Sequence, residues 1–210
     1  MARRKKQPAQ AHREAIAAAA AALFEEKGVS RVSMDDIARA AGYSKATVYV
    51  YFKNRDELVS TLTLESMRRL REHLSRALDS GGDTRARYEL ICRELVRYQE
   101  QYPFYFKTAL EKIRLEPGAE TDGGEAYSVG EEINALLSGF IREGMESGEL
   151  RPGLEPLPAL LTFWGALSGL ILLAESKSEY IQSALGMSRE AFLSQGFDML
   201  YRGVEGGAGK

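Results

Sequence analysis

Ser33, Ser44, Lys45, Thr47, Tyr49, Tyr51, Lys53 and Arg55 put eight side-chain hydrogen-bond donors within 23 residues. Hydroxyl, ammonium and guanidinium groups at this density suit recognition of phosphates and base edges. The groups that would suit bond-making chemistry are few and scattered. Cys92 is the only cysteine, so no internal disulfide can form, and with His12 and His73 as the only histidines a clustered zinc site is not expected. No phosphate-cradling glycine loop and no nucleophile elbow occurs. The chain is therefore expected not to be an enzyme and to need no cofactor or metal.

The donors fall on two short helical patterns in residues 33–53. Ser33 is placed to cap the first, with Asp36 as its capping-box partner, and Met34, Ile37, Ala38 and Ala41 repeat at helical spacing. Gly42 suits the left-handed residue that ends a helix, and Tyr43 leads to a second cap at Ser44. The second helix turns Val48 and Phe52 inward, four residues apart, and leaves Lys45, Ala46, Thr47, Tyr49 and Tyr51 on its other sides. Two helices, a tight turn and donors crowded at the second N-terminus match a helix-turn-helix reader of the DNA major groove.

Extended to both sides, the stretch resembles the N-terminal domain of the tetracycline-repressor (TetR/AcrR) family of bacterial transcriptional regulators. The residues that carry the resemblance are Ile16, Ala20, Leu23, Phe24, Gly28, Ile37, Ala38, Ala41, Gly42, Ser44, Thr47, Tyr49, Phe52, Lys53 and Leu58, in register and without gaps over about the first 60 residues. The resemblance implies base-edge contacts from Lys45, Ala46 and Thr47. Lys45 can donate to guanine, Ala46 can meet a thymine methyl, and Thr47 can bond a base or a phosphate. It also implies phosphate contacts from Tyr49, Tyr51, Lys53 and Arg55, with Ser33 and Ser44 as further anchors or simple caps. Many family members carry histidine where Tyr51 stands.

Charge is sorted along the chain. The net charge is −2, yet residues 1–60 hold eleven Lys/Arg against seven Asp/Glu, +4, and the remainder is −6. The basic arm 1–10, with Arg3, Arg4, Lys5 and Lys6, suits phosphate or minor-groove contact. No signal peptide is visible, and one cysteine fits a reducing cytoplasm. Residues 156–174 carry no charge, but Pro156, Pro158, Gly165, Gly169, Thr162 and Ser168, with Glu155 and Glu175 as flanks, weigh against a membrane span.

The surrounding elements read as helices throughout. A supporting helix is expected over 9–27. A long helix follows Asn54 with Leu58, Leu62, Met67, Leu70, Leu74 and Leu78 in period, stopping at Ser80, Gly81 and Gly82. Tyr88, Ile91, Cys92, Leu95 and Tyr98 mark the next helix, broken at Pro103 and followed by another over 104–115. Residues 116–124 read as a loop, and Ile133 to Met145 as an amphipathic helix. Two terminal helices, about 157–174 and 189–203, complete an all-α chain. It divides into an arm (1–10), a DNA-binding domain (11–54), a connecting helix (55–82) and a larger helical effector-binding and dimerisation domain (83–205).

The apolar helix 157–174 needs partners on both sides. Gly165 and Gly169 would admit a close backbone, and with Leu173, Phe192, Phe197 and Leu200 they form the expected homodimer seam, the position where the family dimerises. Tyr98, Tyr102, Phe106, Phe140, Phe163 and Trp164 are the expected lining of a small-molecule effector pocket, whose existence the resemblance implies. The implied function is a ligand-responsive dimeric repressor of double-stranded operator DNA, with an activator or a regulator acting through a protein partner as the alternative.

Overall fold

The computed structural model describes residues 8–110 and 122–207. Ten α-helices occur among them: α1 (Ala9–Lys27), α2 (Met34–Ala41), α3 (Lys45–Tyr51), α4 (Arg55–Asp79), α5 (Thr84–Gln101), α6 (Pro103–Thr108), α7 (Asp122–Glu146), α8 (Pro156–Ser176), α9 (Ser178–Leu185) and α10 (Arg189–Arg202). A 3-10 turn, Val29–Arg31, follows α1. Extended pairing among the described residues is limited to one isolated bridge between Leu150 and Glu205.

The chain forms two compact units. The first comprises Met1–Arg68 with Tyr102–Ser128, and the second Arg69–Gln101 with Val129–Lys210. Residues 102–110 and 122–128, which the sequence pattern groups with the larger helical domain, fall in the same unit as the helix-turn-helix.

The first unit is built on one apolar cluster. Ile16, Ala20 and Phe24 of α1 meet Ile37 and Ala38 of α2, Val48 of α3, Phe52, and Leu58 and Leu62 of α4. Each large aliphatic side chain buried here contributes roughly 1.5–3 kcal/mol relative to leaving it exposed. Phe104 of α6 joins at the edge, 6.0 Å from the Phe24 ring centroid. Helices as short as α2 and α3 do not persist alone, so packing and caps must hold them. Ser33 Oγ accepts the Asp36 N–H at 3.2 Å while the Asp36 carboxylate accepts the Ser33 N–H at 3.1 Å, completing the expected capping box. Gly42, at φ 73°, closes α2 in the left-handed region, and the next residue, Tyr43, donates its N–H back to Ala38 O at 2.9 Å. Ser44 caps α3, and Asn54 Oδ1 accepts the Glu57 N–H at the start of α4.

In the second unit α5 contributes Tyr88, Ile91, Cys92, Leu95 and Tyr98 to the interior. Glu94 is buried but paired: His73 Nδ1 lies 2.7 Å from one oxygen and Arg97 donates to the other at 2.6 Å. α8 and α10 pack closely through Gly196, where a Cβ would fall 2.4 Å from Leu170 Cδ2.

Three departures from the sequence pattern have local causes. α7 begins at Asp122, so its first turn includes Gly123 and Gly124, which the glycine content had placed in a loop; residues 116–121 of that loop lie outside the described residues. α6 ends at Thr108, short of the expected 115, of which residues 111–115 also lie outside. α9 is a separate helix between the two expected terminal ones, made distinct by the non-helical ψ of 19° at Lys177 and the left-handed Gly186 at φ 64°.

Candidate nucleic-acid interface and effector cavity

α3 has seven residues, of which Val48 alone is buried. That anchor, with Phe52 behind it, seats the helix on the core and leaves the remaining faces turned outward. Lys45, Ala46, Tyr49 and Val50 are exposed and Thr47 is half-buried. Val50, at 78% exposure, is a large aliphatic side chain that no fold requirement keeps in water. Its place on the outward face was missed, although its spacing outside the 48/52 pair marks it.

Several of these donors are held in place within the unit. Lys45 Nζ sits 2.8 Å from Asp35 Oδ1 and 3.1 Å from Oδ2. The hydrogen bond to Asp35 raises the Lys45 pKa above its usual value, so its charge is secure. Thr47 Oγ1 and Ser44 Oγ lie 2.8 Å apart, and Ser33 Oγ donates to Asp36 Oδ2 at 2.6 Å. Those Ser33 bonds hold the Asp36 carboxyl below the ordinary carboxylate range. Lys53 is exposed just beyond α3. Tyr51 is half-buried against the core, its ring 5.8 Å from His12.

Arg55, to which the resemblance assigns a phosphate contact, is engaged within the free chain. Its Nη1 donates to the carbonyls of Val29, Ser30 and Val32 at 3.2–3.3 Å. Val29 O also accepts the Val32 N–H within the 3-10 turn, and the guanidinium at the start of α4 adds a second donor there and ties the turn to α4. Arg3 to Lys6 of the basic arm lie outside the described residues.

In the second unit Phe140, Phe163 and Trp164 gather at one cavity of about 70 Å³. Tyr88, Leu95, Leu137, Ile141, Leu160, Leu167 and Tyr201 complete most of a lining that is almost wholly carbon. Tyr98 does not reach it; the ring is fully buried with its centroid 5.3 Å from that of His73. Tyr102 and Phe106 belong to the first unit and are not among the residues that line this cavity. Those three stand apart from this cavity because helical spacing shows which residues pack, not which void they pack around. Burial pushes the Cys92 thiol up to about 12, so it stays protonated at neutral pH and is no ready nucleophile. Among the described residues no group of three or more His, Cys, Asp or Glu is placed to hold a metal ion.

The open face of α8 is apolar and regular. Leu157, Leu161, Gly165, Gly169 and Leu173 recur every four residues and all are exposed. A Cβ at Gly165 or Gly169 would meet no atom within 4 Å in the protomer. By length and composition α8 could cross a membrane, with 28% of its most apolar stretch buried. On α10, Phe192 and Leu200 are half-buried, whereas Phe197 turns toward α5 and its carbonyl accepts the Tyr88 hydroxyl at 3.0 Å. Met199, 69% exposed, occupies the outward face instead.

Residues 16–62 match the family model for bacterial regulatory proteins, tetR family. The HTH-type transcriptional regulator TtgR of Pseudomonas putida is 41% identical over 80 residues, 38% of each chain, so the matched part spans under two fifths of that relative. A protein of unknown function from Rhodococcus sp. RHA1 has the same fold at a TM-score of 0.76 and 20% identity, over 97% of this chain and 100% of that one. The transcriptional regulator FadR from Bacillus subtilis, solved in complex with stearoyl-CoA, gives a TM-score of 0.68 at 19% identity over 91% and 99% of the two chains. With the reader helix, its caps and its supporting core in register, residues 16–62 form a domain of the kind found in bacterial regulatory proteins of the tetR family.

Proposed function

We propose that this chain is a ligand-responsive dimeric transcriptional repressor, which binds a palindromic operator and leaves it when a small molecule occupies the second unit. The observation that carries the reading is α3: a capped helix with one buried residue of seven and its donors turned outward. A helix so poorly invested in its own core is explained by a groove it enters. Lys45, Ala46 and Thr47 read base edges; Tyr49 and Lys53, with Tyr51 and the Ser33 and Ser44 helix starts, hold phosphates. The +4 charge of residues 1–60 favours the same surface.

The open stripe of α8 fits a second copy of the chain. An exposed row of leucines with two glycines between them is self-complementary across a two-fold axis, and α8 with α10 from each protomer makes a four-helix seam. A dimer also explains why so apolar a helix is left open in a cytoplasmic protein without any membrane. Two α3 helices would then stand roughly 34–36 Å apart, one turn of DNA.

The cavity supports an apolar effector, and FadR, of similar fold, holds an acyl-CoA. At about 70 Å³ the space admits only a few solvent-sized groups, so a larger ligand must part the side chains around it. Such a ligand selects a widened form, and full switching requires roughly 10⁴-fold preference for that form. None of this calls for catalysis.

Fluorescence anisotropy with the intergenic duplex beside the gene tests the reading. Binding should weaken steeply with salt, and a flat response would contradict phosphate-dominated recognition. Deleting the gene should raise expression from the neighbouring promoter; a fall would favour an activator.

A further inference from the structure

Arg13 of α1 is engaged through both terminal nitrogens and one face of its guanidinium. Its Nη1 donates to the carbonyl of Tyr51, the last residue of α3, at 2.8 Å. The guanidinium carbon stands 4.3 Å from the centre of the Phe52 ring, the residue that anchors the end of α3 in the core. Nη2 donates to Thr61 Oγ1 at 3.1 Å and to Asp122 Oδ2 at 3.3 Å, and Glu57 lies 3.6 Å from Nη1. The Thr61 hydroxyl is itself hydrogen-bonded to the same Asp122 oxygen. Asp122 is the first residue of α7.

α3 is too short to hold its own last carbonyls, and a cation at its C-terminal end satisfies one of them while complementing the helix dipole. A planar guanidinium can grip the Tyr51 carbonyl with one nitrogen and Asp122 and Thr61 with another while its face lies on Phe52. An ammonium cannot do all three. We propose that Arg13 is a positioning residue for the reader helix, and that Asp122 is the lock that keeps it in place. The inference rests on reading α3 as the DNA-contacting element. Arg13 acts through the seat of α3, so its loss changes how well α3 meets the groove without removing a phosphate contact.

The full chain and its Arg13→Lys, Asp122→Ala, Asp122→Asn and double Arg13→Lys/Asp122→Ala variants decide the matter. Two readouts are needed: anisotropy on the intergenic duplex across a salt series, and hydrogen exchange of residues 45–53 in the free protein. Arg13→Lys and Asp122→Ala should each weaken binding roughly tenfold, and the double variant little more than either, because the two residues act as one unit. Asp122→Asn, which keeps an acceptor for Thr61 and withdraws the charge, should fall between wild type and Asp122→Ala. The salt slope should stay constant while amide protection in α3 drops. Additive losses, unchanged α3 exchange, or a slope shallower by about one in a further, charge-removing Arg13→Gln variant, as expected of a lost phosphate contact, would each overturn the proposal. Wild-type protein with no salt-dependent DNA binding would sink the repressor reading instead, and the exchange data would still judge the seat of α3.

Discussion

Gly165→Leu separates the stability of the protomer from its self-association. Within the protomer Gly165 is exposed, on the open face of α8, and a Cβ there meets nothing within 4 Å. Replacing a helix-interior glycine by leucine at such a site should favour the isolated helix by about 0.5–1 kcal/mol, so the protomer should melt no lower than wild type. At a two-fold seam the sign reverses. Leu157, Leu161 and Leu173 are 45%, 57% and 47% exposed. Burying the exposed half of each contributes about 1 kcal/mol, or about 6 kcal/mol gross from both protomers. That gain depends on backbones approaching at Gly165 and Gly169. A leucine there overpacks the seam by about 1–3 kcal/mol per protomer, about 2–6 kcal/mol per dimer, which raises the dissociation constant by roughly one to four decades. Sedimentation velocity over a dilution series reads the constant directly, and operator affinity should fall with it because paired α3 helices lose their spacing. A dimer as tight as wild type with undiminished operator affinity would refute the assignment of this face. A lowered melting temperature of the monomer would refute the open-space argument.

Two other perturbations test the reader itself. Ser33→Ala removes the α2 cap and should lower stability at neutral pH by about 1 kcal/mol, or about 2–4 °C in the melting midpoint. Asp36 is the capping partner and its folded pKa is depressed by its bonds to Ser33. Its contribution is therefore present above the ordinary value of 3.8 and is lost as pH falls through the lower folded value. The difference between wild type and Ser33→Ala should accordingly shrink in melts run below about pH 3.8, and a gap that widens in acid would contradict the capping-box account. Asp35→Asn frees the Lys45 ammonium and removes a carboxylate from the reading surface. It should strengthen duplex binding by less than about tenfold, since exposed pairs are weak, and the gain should vanish in a Lys45→Ala background. A gain that survives Lys45→Ala would show that Asp35 acts only by repelling the phosphates.

What was legible in the sequence was legible because it is local. Ser33, Asp36, Gly42 and Ser44 act on backbone groups within three or four residues, so type and spacing suffice to place α2, the turn and α3. The residues that proved hardest to read act across the chain. Arg55 reads as a phosphate ligand, and its bonds to the carbonyls of Val29, Ser30 and Val32 arise only when folding brings them to it. Arg13 carries no signal at all in a helix of alanines and charges, because its partners are a carbonyl 38 residues away and a carboxylate 109 residues away. Asp122, amid glycines and acids, reads as a loop for the same reason. Phe140, Phe163 and Trp164 share a cavity, while Tyr98, equally aromatic and equally well spaced, fills a different space beside His73. Periodicity identifies the side of a helix that is buried, and only the tertiary fold decides whether that burial is solid packing, a void or a grip on another helix. A tetR-family reader is therefore recognisable from its short capped helices, whereas the residues that seat it must be sought among its long-range contacts, of which Arg13 with Asp122 is one pair.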